Sequence, residues 1–396
     1  MEIHPPESGN EIIQRLGVTP IINAGGPNTK HSGSRPQQEA MDAMRAMSEV
    51  FANIDELLIA AGKEIATLVG AEAATITSGA FGGLVVQAAA AVSKGDPTII
   101  SRLPDTAGIP NELVIQKAHR FVYDHLYLVP GTRFVEAGDE SGCTPDQLEA
   151  AISDRTAGVI HLESPFKNRG TVPVEQAAEI AHAHGLPLLV DAASMLPPRD
   201  NLRRFTSAGA ELVSFSGGKA VRGPQSTGML LGKPEWIEYA RLVNAPNATI
   251  ARAQKVSKEE IAGLLAALRT FINEDEQAET RRYTAQMEQV VDQLSEIPGT
   301  AVSIEHNYDH YIPHAVVRFA DSWRGPDGPA MAARLMAKSP RVYVVSGYIG
   351  PREIWIDPLN IQPGELDTVV ARVHEELLRA SAGNSEHAAQ TGLIRG

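Results

Sequence analysis

Ser214-Phe-Ser-Gly-Gly-Lys-Ala-Val-Arg-Gly-Pro-Gln-Ser-Thr-Gly228 puts a lysine, Lys219, straight after a Ser-Gly-Gly turn at the end of a short apolar run. A second apolar run, Leu188-Leu-Val-Asp-Ala-Ala-Ser194, ends in an acid, and Asp191 precedes Lys219 by 28 residues (219 − 191). Lysine normally stands in solvent. A lysine on a glycine turn between two strand-like runs is placed for chemistry instead. Outward from these segments, β-rich runs recur at 73–77, 98–101, 113–116, 133–136, 158–163, 186–190 and 228–231. Helical or loop segments separate them, with crossover helices at 144–152 and 174–185. This alternation predicts an α/β fold: a mostly parallel sheet covered by helices on both faces.

The rest of the chain divides around that core. Residues 1–54 read as an N-terminal arm and first helix, and 55–256 as a large cofactor-binding domain. Ser257 and Glu260 form a capping box at the head of a long linking helix over 257–296. Its apolar residues at 261, 264, 265, 268, 271 and 272 make one face. Residues 297–380 read as a small α+β domain, and 381–396, without apolar periodicity, as a disordered tail.

Composition sets outer limits. The chain has 396 residues, 43% apolar and 21% charged, enough for a large core in two domains. Its net charge of −13 argues against nucleic acid as a partner, since phosphate neutralisation needs clustered Lys and Arg. The single cysteine, Cys143, allows no intrachain disulfide and fits a reducing compartment. The N-terminus lacks a signal-peptide pattern and no apolar stretch is long enough to span a bilayer, so a cytoplasmic, membrane-free protein is expected.

Three segments carry the chemistry. Ala73-Ala-Thr-Ile-Thr77 is followed by Ser78-Gly-Ala-Phe-Gly-Gly83, a strand running into a helix start. Unpaired N–H groups and a partial positive charge at such a start suit a phosphate. Gly79 lets the backbone approach it, and Ser78 adds a hydroxyl. The glycines at 79, 82 and 83 do not form the G-x-G-x-x-G pattern, which disfavours a nicotinamide-dependent oxidoreductase. Asp191 ends an apolar strand, where ligands sit in open α/β sheets, and can keep a pyridine nitrogen protonated. Ala193 is small enough to pack on the ring face. Lys219 can lose its proton and form an imine if it is buried, and Ser216 can donate to the phosphate. Phosphate loop, acid and lysine in this order point to pyridoxal 5′-phosphate held as a Schiff base.

The order and spacing resemble the fold-type I pyridoxal-phosphate superfamily. Within it the chain is similar to the L-seryl-tRNA(Sec) selenium transferase-like proteins and D-glucosaminate-6-phosphate ammonia-lyases. The matching segments include Ile21-Ile-Asn-Ala-Gly25, Thr77-Ser-Gly-Ala80, Arg102-Leu-Pro-Asp-Thr106, Asn111–Arg120, Val190-Asp-Ala-Ala193, Phe215–Ala220 and Lys255–Ile261, spread over most of 20–270. The resemblance implies an aspartate-aminotransferase-like fold with a seven-stranded sheet and a small C-terminal domain. It implies Lys219 as the Schiff-base lysine and Asp191 as the ring-nitrogen partner. Ser78, Gly79, Ala80 and Ser216 would hold the phosphate, and His119 would stack on the ring. Gly223, Pro224 and Gln225 would reach the cofactor of a neighbouring subunit in a homodimer with shared sites. One stretch departs from these relatives: Pro27-Asn-Thr-Lys-His-Ser-Gly-Ser-Arg35 adds Lys30, His31 and Arg35 near the expected substrate mouth. No long basic RNA-binding domain precedes the core, which weakens a selenium-transferase reading.

Arg35, Arg222, Arg252 and Arg352 are candidate clamps for a substrate carboxylate, with His31 beside them. His306, His310 and His314 recur every four residues, but Pro313 argues for a loop and strand there, so no metal site is expected. The expected activity is a lyase acting on a small amino substrate, an amino acid or amino sugar acid. It would form an α-carbanion and eliminate a β-hydroxyl to give a keto acid and ammonia. Aldol cleavage, racemisation and selenium-transferase-like substitution start from the same residues.

Overall fold

The computed structural model describes residues 8–164, 168–307, 310–347 and 350–392, without the side chains of 307, 310, 311 and 382–392. The chain divides into two compact units. Ser34–Glu274 form the large one. Met1–Gly33 join Asp275–Asn307 and the chain from Tyr311 in the other. The arm therefore does not stand apart with residues 34–54. It carries a short helix, α1 (Gly9–Arg15), and a strand, β1 (Ile21–Asn23).

In the large unit, α2 (Gln38–Ser48) and α3 (Ile54–Val69) lead into β2 (Ala73–Ser78). Asn53 caps α3 through its side chain and Gly70 ends it in the left-handed conformation. Then come α4 (Gly79–Ser93), α5 (Pro97–Arg102), β3 (Glu112–Gln116), β4 (Arg133–Ala137), α6 (Pro145–Ala150) and β5 (Thr156–Leu162). The unit continues through α7 (Val174–Ala183), β6 (Leu188–Asp191), α8 (Asn201–Ser207), β7 (Leu212–Ser216), β8 (Thr227–Gly232), α9 (Pro234–Val243) and α10 (Lys258–Asn273). The seven strands lie in the order β2-β8-β7-β6-β5-β3-β4. Every neighbour pair is parallel except the two that involve β8. Strands β5 and β6 are buried at every position, as apolar strands covered on both faces must be. One core, with Val159, Val190 and Val213, meets α3, α7 and α10; the other, with Ile160, Leu189 and Leu212, meets α4 and α9. Helix α4 is apolar nearly all round and buried at almost every residue, which fits a helix enclosed in a core.

The second unit adds α11 (Glu276–Leu294), β9 (Thr300–Asn307), β10 (His310–Phe319), α12 (Gly328–Ala337), β11 (Arg341–Tyr343), β12 (Val345–Ser346), β13 (Glu353–Ile356) and α13 (Leu366–Gly392). Four strands form a sheet in the order β12-β13-β10-β9. Strand β1 pairs in parallel with β11, Ile22 opposite Val342, which is why the arm folds with the C-terminal residues. Val290 and Leu294 of α11, Val317 of β10 and Val373 of α13 share its core.

Three sequence expectations need correction. The run 98–101 is helix α5, because Pro97 occupies its first turn and Asp96 accepts from the N–H groups of Thr98 and Ile99. The span 257–296 is two helices: Glu274 is extended, and Asp275 caps α11 by accepting from Gln277 and Ala278. The chain beyond 380 continues as helix to Gly392; residues 393–396 lie outside the described residues. No helix among the described residues is long and apolar enough to cross a membrane.

Candidate active site

Strands β6 and β7 are neighbours, with Asp191 opposite Ser214, so both chains leave the sheet at the same end. Asp191 is only 1% exposed. The tight turn after it closes with the Met195 N–H donating to the Ala192 carbonyl at 3.0 Å, and the Ala193 N–H donates to Asp191 Oδ1 at 2.9 Å. Burial pushes the Asp191 carboxyl up to about 6, against the pull of that N–H and of the Lys219 charge. Beyond β7 the chain folds back on itself: Gly217 donates to the Thr227 carbonyl and Gly223 to the Gly217 carbonyl. Two glycines are needed here, because a Cβ on Gly217 would stand 2.4 Å from Thr227 Oγ1 and one on Gly218 2.5 Å from Gln225 Cα. The fold-back delivers Lys219, whose Nζ donates to Ser194 Oγ. Desolvation lowers the Lys219 pKa, with Asp191 opposing. One four-residue segment, Asp191–Ser194, thus supplies the acid, the N–H that holds it and the hydroxyl that meets the lysine.

Helix α4 starts at the same end of the sheet. Ser78 is its N-cap, yet its hydroxyl makes no capping bond. Gly79 has φ +68°, and a Cβ there would meet nothing within 4 Å, so space is open beside the head of the helix. Close packing fixes the helix: Ser214 Oγ donates to the Ala80 carbonyl at 2.8 Å. Gln87 Nε2 donates to the carbonyls of Val190 (3.0 Å) and Leu212 (3.2 Å), and Tyr127 donates to Gln87 Oε1 at 3.2 Å. Gln87 therefore pins α4 to the strands that carry Asp191 and Lys219. A helix start with room and a hydroxyl suits a phosphoryl group. A buried acid suits a protonated ring nitrogen, and a lysine of lowered pKa suits a carbonyl partner. This donor set fits pyridoxal phosphate.

The family model for L-seryl-tRNA selenium transferase, SelA, matches residues 56–309. The chain belongs to the SelA family. It is 31% identical to D-glucosaminate-6-phosphate ammonia lyase of Salmonella typhimurium, over 92% of this chain and 97% of that one. A solved structure of D-glucosaminate-6-phosphate ammonia-lyase superposes with a TM-score of 0.80 over 93% of this chain and 98% of that one, at 31% identity. A 5′-C-glycyluridine monooxygenase-decarboxylase of Streptomyces is 29% identical over 96% of each chain. Alanine–glyoxylate aminotransferase from Nostoc, 16% identical, shares the fold with a TM-score of 0.60 over 95% and 98% of the two chains. The fold is fold-type I.

In this SelA-family chain the other predicted site residues fall into two groups. Ser78, Gly79, Ala80, Asp191, Ala193, Ser216 and Lys219 lie at one end of the large unit's sheet. Ser216 Oγ accepts from the Gly218 N–H at 3.4 Å, and Gln225 is exposed. His119 follows β3 on a short 3-10 turn and is fully buried. Its Nδ1 accepts from the Leu162 N–H at 3.4 Å. His161 stands edge-on to it, ring centroids 4.7 Å apart, and His161 Nε2 bonds Glu163 Oε2 at 3.1 Å. Two of the four arginines are otherwise engaged. Arg222 pairs with Glu274 at 2.9 Å within the large unit. In the second unit Arg352 Nε donates to the Phe319 carbonyl at 3.0 Å. His31 lies on the ring of Tyr343 in that unit, centroids 3.8 Å apart, and burial lowers its pKa. Arg35 and Arg252 are exposed. His314 bonds Asp357 Oδ2 at 3.2 Å; the side chain of His310 lies outside the described residues.

Sequence reasoning assigned no role to Ser194, Gln87, Tyr127, His161 or Glu163. Ser194 stands inside a quoted motif, three residues after Asp191, and that proximity was the available signal. The others depend on strand pairing between distant segments.

Proposed function

We propose that this protein is a pyridoxal-phosphate-dependent lyase that eliminates a β-hydroxyl from an amino acid or amino sugar acid, leaving a keto acid and ammonia. The observation that carries the reading is the pair Asp191, buried at the end of β6, and Lys219, half-buried three residues beyond the end of the adjacent β7. The cofactor, when bound, supplies an electron sink that weakens the bonds to the amine-bearing carbon. Asp191 offers a carboxylate to the ring nitrogen. Ser78, the N–H groups that open α4, and Ser216 hold the phosphate. His119 and Ala193 would flank the ring. Lys219, with its lowered pKa, takes the proton from the amine-bearing carbon while Ser194 orients its amine. Arg35, in the stretch that departs from the ammonia-lyases, meets the substrate. The likeness to an enzyme named for an amino sugar acid phosphate supports this substrate class.

The protein is further proposed to work in the cytoplasm as a homodimer, with Gly223 and Gln225 near the partner's cofactor. Its single cysteine and the exposed Val50 and Phe51 support this. Incubation with β-hydroxy amino acids and amino sugar acids, phosphorylated and plain, tests the activity. Keto acid and ammonia should appear in equal amounts with wild type and not with Lys219→Ala. Release of an aldehyde would assign aldol cleavage instead, and an inverted enantiomer a racemase; either result, or no ammonia from any of them, would refute elimination.

A further inference from the structure

The loop after α9 carries a side chain that the reading above leaves without a role. Asn244 is 4% exposed, and its Nδ2 donates to the Ile76 carbonyl of β2 at 3.1 Å, two residues before Ser78. Ala251, fully buried, anchors the far side of the loop, and the Gln254 N–H donates to its carbonyl at 2.9 Å. Gln254 is held in this way over the first turn of α4. A Cβ built on Gly82 would stand 3.1 Å from Gln254 Oε1 and 3.3 Å from Ser78 Cβ. Glycine at 82 leaves the room that the amide occupies, and Gln254 and Ser78 lie on the same side of the helix start. Gln254 Oε1 is buried and has no hydrogen-bond partner among the described residues. A buried amide oxygen without a partner costs about 1–3 kcal/mol, so a bound group that satisfies the amide is favoured. Half a turn about the last side-chain bond exchanges Oε1 for Nε2, which points a donor at the same place.

Resting on the pyridoxal-phosphate reading, we infer that Gln254 is a ligand of the cofactor phosphate: its side-chain amide donates to the phosphoryl oxygens beside Ser78 and the N–H groups of α4. The contact is to the phosphate alone, so it separates pyridoxal phosphate from pyridoxal. Spectrophotometric titration of the cofactor-free full chain with each compound tests it. Gln254→Met keeps the length of the side chain and removes the donor. It should weaken pyridoxal phosphate by about tenfold, the size of one hydrogen bond to a charged group, and leave pyridoxal within about twofold. Gln254→Glu, which puts a negative charge at the same place, should lose more affinity for pyridoxal phosphate and still spare pyridoxal. Wild-type affinity for pyridoxal phosphate in Gln254→Met would overturn the inference. So would equal losses for the two compounds, which would mark a packing role. Wild type that takes up neither compound would instead overturn the enzyme reading itself.

Discussion

Asp191→Asn should stabilise the cofactor-free protein, and by an amount that depends on pH. The Asp191 carboxyl, 1% exposed, has its pKa raised by burial from 3.8 to about 6. In the unfolded chain it ionises near its ordinary value, so between those two values the folded state binds more protons. Stability then falls as pH rises through this window, and above about pH 6 the loss is complete. A difference of about 2 pKa units corresponds to roughly 3 kcal/mol. Asparagine keeps an oxygen to accept the Ala193 N–H and never ionises, so it escapes the cost. Urea unfolding of the cofactor-free chains should make Asp191→Asn more stable by up to about 3 kcal/mol near pH 8, shrinking to about 1 kcal/mol near pH 4.5. The same variant should lose catalysis, since the neutral amide no longer keeps a ring nitrogen protonated. Equal stability of the two proteins near pH 8, or a gap that does not narrow on acidification, would refute the claim that Asp191 is held ionised against its environment.

Ser194→Ala removes the acceptor for the charged Lys219 amine, so the midpoint of the rate of cofactor uptake against pH should fall by up to about one pH unit; an unmoved midpoint would deny Ser194 this role. Gly79→Ala places a methyl in the open space beside the head of α4 at φ +68°, so pyridoxal phosphate affinity should drop by about tenfold or more while unfolding free energy changes by only about 1 kcal/mol, both read by titration and urea melts. Gln87→Leu strips two buried carbonyls and the Tyr127 hydroxyl of their partner, which should cost about 3 kcal/mol in urea unfolding; a loss below about 1 kcal/mol would mean that water replaces the amide.

The strands that bear the site were legible because they are buried on both faces, which makes Leu188–Val190 an unbroken apolar run and leaves Leu212–Phe215 apolar except for Ser214. Asp191 and Lys219 were legible for a related reason: each ends such a run at a turn, where a charged side chain has no ordinary structural purpose. Local capping defeated the reading of 98–101, where Ile99 and Ile100 read as a strand until Asp96 and Pro97 are seen to open a helix. The same effect split the linking helix at Glu274, since Asp275 begins a new N-terminus within a continuous helical pattern. The contact between Lys219 and Ser194 depends on the fold-back of Gly217–Gly223 against Thr227, and that of Gln87 with Val190 and Leu212 on strand order. Neither is a property of one segment. The arginines illustrate the opposite limit: residue type suggested substrate clamps, while Arg222 and Arg352 are engaged by Glu274 and by backbone carbonyls.

The central claim is that Lys219 carries the cofactor. Wild type and Lys219→Ala, each saturated with pyridoxal phosphate, would be reduced with borohydride, digested and mapped by mass spectrometry. Wild type should carry the reduced cofactor on the peptide that contains Lys219 and lose its visible absorbance, whereas Lys219→Ala should carry none. Label on another lysine, or a wild-type protein that acquires no label at all, would contradict the account.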